Sequence, residues 1–130
     1  MKRLSILGST GSIGTQALET CEKNGWEITA LAAGRNVELA ETQARKFKPQ
    51  FVAMFDKGAA AELKVKLADT DIKVYSGEEG VIAAAESDCD TVLNSVVGIA
   101  GLRPTLAAIN KGTTVALANK ETLVTGGEIV

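Results

Sequence analysis

Short apolar runs alternate with helix-patterned segments along the whole sequence, and this alternation constrains the fold more than any other feature. Most runs are apolar on consecutive positions, as in strands of a parallel sheet that helices cover on both faces. The runs are residues 4–7, 27–33, 51–55, 72–75, 91–94 and 114–118. They predict a doubly wound α/β fold with right-handed crossovers, a mainly parallel sheet of six or seven strands and helices on both faces.

Helical spacing between these runs supports the same fold. Ile13, Ala17 and Cys21 recur every four residues, which places them on one face of a first helix. A second helical face consists of Val37, Ala40, Ala44 and Phe47. Gly25 is typical of the residue that follows a helix, and Pro49 of a chain that has just left one.

Three further helices are predicted from their end signals. Ser76 and Glu79 have the spacing of a capping box. Pro104 suits the first turn of a helix, and Gly112 suits the position after its last residue. A last helix is expected to begin near residues 119–121. Because no stop signal follows it, we expect the chain to be a fragment or an isolated domain of a longer protein.

Composition limits the functions that suit this fold. The 130 residues fit one domain, and 45% apolar with 23% charged residues is typical of a globular protein. A net charge of −2 disfavours a general nucleic-acid binder, which is usually basic. No apolar stretch approaches the roughly 20 residues of a membrane helix, and residues 1–3 are too few for a secretory leader. We therefore expect a cytoplasmic protein without nucleic-acid or membrane partners.

Cysteine and histidine content narrows the chemistry further. Cys21 and Cys89 have no CxxC spacing and no histidine to complete a metal cluster, so we expect small buried side chains in a reducing cytosol. A chain without histidine also lacks Ser-His, Cys-His and HExxH chemistry. Any chemistry must come from lysine, a carboxylate or a bound cofactor.

The first predicted strand leads directly into a glycine-rich loop (residues 8–14), inside which a helix is predicted to begin. Its sequence is Gly8-Ser9-Thr10-Gly11-Ser12-Ile13-Gly14. A diphosphate must approach the backbone closely, so residues without Cβ and unpaired N–H groups at a helix start suit it. Gly8 suits the turn out of the strand, Gly11 admits the phosphate, and Gly14 lets the helix pack on the sheet. The alternative is an ordinary strand-to-helix turn, but the position in a first βαβ unit favours a nucleotide.

The end of the second predicted strand indicates which nucleotide binds. NAD sites usually carry Asp or Glu about twenty residues beyond such a loop, to accept from the ribose 2′-hydroxyl. That position falls on Gly34-Arg35-Asn36, which contains no carboxylate. Arg35 offers a planar, permanent charge to a 2′-phosphate, unless it is simply a solvated loop charge. Glu38 falls in the next helix's first turn, where it complements the dipole. We interpret the segment as selective for NADP.

Two later segments have less specific patterns. Residues 95–98 form another small-residue loop, which either borders the nicotinamide half of a dinucleotide or makes a tight turn. Asn119-Lys120-Glu121 follows the last predicted strand at the same sheet edge as the glycine-rich loop. These residues either contact ribose and substrate or begin a helix with an N-cap and a dipole-complementing Glu. The residue patterns leave both alternatives open.

Four segments in order closely resemble the 1-deoxy-D-xylulose 5-phosphate reductoisomerase family. They are the glycine-rich loop, Ala33-Gly34-Arg35-Asn36, residues 101–109 (GLRPTLAAI) and residues 117–124 (LANKETLV). The resemblance spans essentially the whole chain but matches only the family's amino-terminal, NADPH-binding domain of the Rossmann type. The family often carries lysine where Arg35 stands, and either cation neutralises a phosphate.

The resemblance implies an NADPH-dependent oxidoreductase and isomerase of the non-mevalonate route to isoprenoids. Such an enzyme rearranges 1-deoxy-D-xylulose 5-phosphate and reduces the resulting aldehyde to 2-C-methyl-D-erythritol 4-phosphate. The implied cofactor-binding residues are Gly8, Thr10, Gly11, Ser12, Ile13, Gly34, Arg35, Asn36, Asn119 and Glu121. Of these, residues 10–13 hold the pyrophosphate region and residues 34–36 the adenosine 2′-phosphate, whereas Lys120 contacts the sugar-phosphate substrate.

The family's divalent-metal site (Mg²⁺ or Mn²⁺), flexible loop and carboxyl-terminal domain lie beyond this segment. The resemblance thus implies no catalytic or metal-binding residue in this chain. Without a Lewis acid, or a second domain to exclude water, we expect the chain to bind NADPH and turn nothing over. Full-length members are commonly homodimers. Two rivals remain: another two-domain dehydrogenase, which residues 95–98 and 119–121 oppose, and a stand-alone NADP-binding or redox-sensing module.

Overall fold

A computed structural model describes residues 3–95 with their side chains and the backbone of residues 114–118 and 123–125. Strands and helices alternate over residues 3–94. The strands are β1 (Arg3–Leu7), β2 (Glu27–Ala33), β3 (Phe51–Met54), β4 (Lys73–Ser76), β5 (Thr91–Asn94), β6 (Thr114–Ala118) and β7 (Leu123–Thr125). The helices are α1 (Ser12–Asn24), α2 (Val37–Phe47), α3 (Lys57–Lys66) and α4 (Gly77–Ala85). The six predicted strands are confirmed, with bounds that differ by at most one residue.

The seven described strands form one sheet, in the order β4-β3-β2-β1-β5-β6-β7. Every pairing is parallel except that of β7, which runs antiparallel to β6. The chain adds β2, β3 and β4 outward on one side of β1 and then returns to place β5 on its other side. This reversal between β1 and β5 is where open α/β sheets bind ligands, at the carboxyl ends of the strands. The predicted doubly wound, mainly parallel fold is confirmed.

Burial on both faces explains why β1, β2 and β3 are apolar at most consecutive positions. In β2, Leu31 and Ala33 face a cluster that includes residues of α1, α2 and α3. Ala30 and Ala32 face a second cluster, to which α4 contributes. Because alternate residues of a strand point to opposite faces, a strand covered on both sides has no position for an exposed polar side chain.

The ends of the first two helices lie where the sequence predicted them. Gly25 follows α1 with a left-handed φ of 67° and donates its N–H to the carbonyl oxygens of Cys21 and Glu22. Lys48, with φ of 50°, ends α2 immediately before Pro49. Lys48 donates its N–H to Ala44 O, which satisfies one of the orphan carbonyls of the last turn.

Three local predictions need correction. Ser76 is the N-cap of α4, but its side chain makes no capping hydrogen bond, because Gly77 bends the chain there with a left-handed φ of 73°. Residues 123–125 form β7 instead of continuing a helix, since pairing with β6 satisfies backbone groups on one side of this edge strand. Cys21 is buried as expected, whereas Cys89 is half-buried because it lies in the turn before β5.

The remaining expectations from the sequence concern two later helices and membrane-spanning helices. The predicted helix between Pro104 and Gly112, and the start of the last helix at residues 119–121, lie outside the described residues. Among the helices that the structure describes, none is both long and apolar enough to cross a bilayer.

Candidate functional site

The glycine-rich loop joins β1 to α1 at the carboxyl edge of the sheet. Gly8 adopts a left-handed φ of 84°, which turns the chain out of β1. The N–H groups of Gly8 and Ser9 both donate to Ala32 O of β2, at 2.7 and 2.9 Å. The loop is therefore attached to the end of the neighbouring strand before α1 begins. Gly11 is the N-cap of α1.

The start of α1 presents backbone donors. The first helical hydrogen bond runs from Thr15 N to Gly11 O at 2.9 Å, so the N–H groups of Ser12, Ile13 and Gly14 have no acceptor inside the helix. Its first turn contains no acidic side chain, and Gly11 and Ser12 are exposed. Aligned N–H groups at the positive end of a helix dipole attract an anion such as a phosphate.

Gly14 and Gly11 of the loop differ in how much space surrounds them. A Cβ on Gly14 would collide with the carbonyl oxygen of Gly8 and lie 2.8 Å from Ser9 Cα. The close approach that excludes a side chain at Gly14 is thus to the loop backbone, not to the sheet as the sequence suggested. A Cβ on Gly11 would meet only Gly8 O, at 3.6 Å, which is ordinary contact. The fold therefore has room for a side chain at Gly11, and glycine at this position leaves the exposed helix start uncovered.

The segment after β2 lies exposed at the same edge. Asn36 caps α2, because its Oδ1 accepts a hydrogen bond from Leu39 N at 3.2 Å. A Cβ on Gly34 would have no neighbour within 4 Å, and the Gly34 carbonyl accepts from Asp56 N at 3.0 Å. Arg35 is exposed and makes no ion pair with any residue that the structure describes. Its guanidinium is thus available to an anionic ligand, and Glu38 lies in the first turn of α2 as expected.

Ser95, after β5, contacts the glycine-rich loop from the other side. Its N–H donates to Leu7 O at 2.9 Å, and its Oγ lies 2.8 Å from Leu7 O and 3.1 Å from Gly8 O. The sequence left two alternatives for residues 95–98, a border of the nicotinamide half or a tight turn. The structure places Ser95 beside the loop that leaves β1. Residues 96–98 lie outside the described part of the chain.

Sequence reasoning missed Gln43 of α2, a buried residue whose Nε2 donates to Ser9 O at 2.8 Å. The signal was present, because Gln43 is three residues beyond Ala40 and is therefore a polar residue on an otherwise apolar helix face. Such a residue usually has a specific hydrogen-bond partner. The partner itself, 34 residues away along the chain, is visible only in the folded structure.

The remaining site residues that the sequence indicated are Asn119, Lys120 and Glu121, which lie outside the described residues. β6 runs parallel to β5 and ends at Ala118, so its carboxyl end lies at the same sheet edge as that of β5. Among the described residues, no group of three or more His, Cys, Asp or Glu side chains could hold a metal ion.

Comparison with known proteins identifies the family. Residues 4–127 match the family model of 1-deoxy-D-xylulose 5-phosphate reductoisomerase. The protein of that name from Agathobacter rectalis is 54% identical over 132 residues, covering 100% of this chain and 35% of the relative. The chain thus spans about a third of the length of the curated relatives it matches.

Solved structures give the same result. The 1-deoxy-D-xylulose 5-phosphate reductoisomerase of Zymomonas mobilis in complex with NADPH superposes with a TM-score of 0.86 at 36% identity, covering 92% of this chain and 32% of that one. A DOX-P reductoisomerase in complex with NADPH, fosmidomycin and magnesium also gives 0.86, at 37% identity, over 93% of this chain and 31% of the other. As its motifs indicated, the chain belongs to the 1-deoxy-D-xylulose 5-phosphate reductoisomerase family.

Proposed function

We propose that residues 1–130 are the NADPH-binding, Rossmann-type domain of an enzyme that rearranges and reduces 1-deoxy-D-xylulose 5-phosphate to 2-C-methyl-D-erythritol 4-phosphate. One observation carries this proposal: backbone donors at the start of α1 and an exposed guanidinium after β2 occur at one edge of the sheet. A ligand with a diphosphate and a separate phosphate matches that arrangement. Family membership and the NADPH-bound structural relatives support it.

The diphosphate binds at the glycine-rich loop. Thr10, Gly11, Ser12 and Ile13 surround the pyrophosphate, and the turn at Gly8 brings this backbone to the sheet edge. The residues fit the group, since the first turn of α1 has unpaired N–H groups and Gly11 places no side chain in front of them. The helix dipole adds to the attraction.

The adenosine 2′-phosphate binds at Gly34, Arg35 and Asn36. Arg35 supplies a permanent positive charge and a planar set of donors that match phosphate oxygens. Gly34 leaves open space beside it. The Asn36 Oδ1 already caps α2, so its Nδ2 is the part of that side chain left to donate to the ligand.

The nicotinamide half and the substrate are assigned by family likeness. Asn119 and Glu121 contact NADPH, and Lys120 contacts the sugar-phosphate substrate. NADPH supplies a hydride to the aldehyde carbon when bound. The divalent metal, Mg²⁺ or Mn²⁺, and the catalytic residues belong to the rest of the whole enzyme. The whole enzyme is a homodimer in the cytoplasm. The 130-residue chain turns nothing over alone.

Calorimetric titration of the purified 130-residue chain with NADPH and NADH tests this function. We expect NADPH to bind more tightly, because only NADPH offers a 2′-phosphate to Arg35. An NADH affinity equal to or greater than that for NADPH would contradict the assignment. Substrate-dependent loss of NADPH absorbance with Mg²⁺ or Mn²⁺ would contradict the expected inactivity.

A further inference from the structure

Gln43 combines burial, one specific hydrogen bond and one unpaired atom. It is 5% exposed on α2, and its Nε2 donates to Ser9 O at 2.8 Å. Its Oε1 has no hydrogen-bond partner among the described residues, and neither does the Oγ of Ser9, which is 1% exposed. A buried polar atom without a partner lowers stability, because it has lost water and gained nothing in exchange.

Packing does not account for glutamine at this position. The other buried residues of the same helix are Val37, Ala40 and Ala44, all apolar. A methionine would fill about the same volume with no unpaired oxygen. Since the side chain breaks the local pattern and leaves an unpaired atom, its donor to the glycine-rich loop is the feature that distinguishes it from an apolar residue.

The hydrogen bond from Gln43 to Ser9 O fixes the direction of the Thr10 N–H group. The peptide between Ser9 and Thr10 is planar and trans, as no described peptide bond is cis. Its C=O and N–H therefore point in opposite directions, and the hold of Gln43 on the oxygen turns the Thr10 N–H away from α2. The N–H of Ser9 is already held by Ala32 O at 2.9 Å, so both sides of Ser9 are fixed.

We propose that Gln43 is a positioning residue for the diphosphate, which orients the Ser9–Thr10 peptide so that the Thr10 N–H donates to a phosphate oxygen of the ligand. This role rests on the proposed NADPH binding. It predicts a selective effect, because Gln43 acts on the diphosphate and not on the 2′-phosphate. Ligands with a diphosphate depend on Gln43, and a ligand with only adenosine and a 2′-phosphate does not.

The test compares Gln43→Met with the wild-type chain by calorimetric titration of NADPH, NADH and 2′-AMP. We expect both dinucleotides to bind about 10-fold more weakly, with their ratio kept, and 2′-AMP to bind unchanged. Thermal unfolding should shift little, because the substitution removes one unpaired oxygen while it leaves Ser9 O without its donor. Gln50→Met, at an exposed position before β3, is the matched control and should alter none of these values.

A second measurement uses the wild-type chain and does not depend on the variant folding. In a ¹⁵N–¹H spectrum, inorganic pyrophosphate should shift the Thr10 amide resonance. An unmoved Thr10 resonance at saturation, wild-type affinity in Gln43→Met, or equal losses for all three ligands would each overturn the positioning role. If the wild-type chain binds 2′-AMP and NADPH normally while one of these results is obtained, the proposed function stands. If the wild-type chain binds no NADPH, both the positioning role of Gln43 and the proposed function are contradicted.

Discussion

Gly14, in the first turn of α1, lies so close to Gly8 that the Gly8 carbonyl oxygen occupies the space a Cβ of Gly14 would need. The contact joins the turn out of β1 to the helix that presents the backbone donors. Since both partners are backbone, neither can rotate away as a side chain would. The contact thus requires glycine at position 14, and the left-handed φ of 84° favours glycine at position 8.

Gly14→Ala should destabilise the protein by about 1–3 kcal/mol, because the added methyl group overpacks a rigid contact. Urea unfolding of the purified chain measures the loss. Gly11→Ala is the matched control, since its Cβ would find only a 3.6 Å contact, and it should change stability by less than about 1 kcal/mol. Equal losses in the two variants would show that the Gly8–Gly14 contact is not the reason for glycine.

Gly11→Ala should instead impair ligand binding. A methyl group at the exposed N-cap of α1 hinders the approach of a diphosphate, and we expect an NADPH affinity about 10-fold lower, equivalent to about 1.4 kcal/mol. Titration of the folded variant measures this. Gly58→Ala, in the first turn of α3, is the comparison and should bind NADPH as the wild type does. Unchanged affinity in Gly11→Ala would place the diphosphate elsewhere.

Substitutions at Arg35 should change cofactor preference. Arg35→Ala removes the charge opposite the 2′-phosphate and should weaken NADPH binding about 10- to 100-fold, as expected for a charge-assisted hydrogen bond. NADH binding should not change, and Arg35→Lys should keep most of the preference. Lys64→Ala, an exposed cation on α3, controls for the general loss of one positive charge. A parallel loss for NADH would mean that Arg35 does not contact the 2′-phosphate.

An ion-pair cluster that joins α2 to the end of α3 should make stability depend on pH. The Arg45 Nη2 lies 2.8 Å from Asp69 Oδ1, and Nη1 lies 3.2 Å from Oδ2. The hydrogen bonds that Arg45 donates lower the pKa of the exposed Asp69 carboxyl below its usual value. A carboxyl whose pKa is lower in the folded state stabilises the protein above its unfolded pKa and loses this effect as the pH falls through the folded value.

Asp69→Asn should therefore lower the melting temperature at pH 7, and the difference from wild type should shrink as the pH falls below about 4. Thermal melts across this range measure the effect. Asp71→Asn, on the same turn but outside the ion pair, is the control. A difference that stays constant down to acid pH would show that Asp69 acts by something other than its charge.

Local signals accounted for most of the fold and for the position of the glycine-rich loop. Gly25 ends α1 and Pro49 follows α2, because the left-handed cap and the missing N–H act within a few residues. The capping box at Ser76 failed because a single left-handed glycine intervenes. β7 was missed because three residues of strand gain their stability from pairing with β6 and not from their own pattern.

The amino-acid order alone was enough to specify the alternation of strands and helices, the loop between β1 and α1, and the placement of Arg35 after β2. These features depend on periodicity and on the backbone freedom of glycine, which act locally. Folding was required to bring Ser95 and Gln43 to that loop, across 87 and 34 residues of chain. Such contacts depend on which strands become neighbours and which helix face is buried, and the packing of the whole sheet decides both.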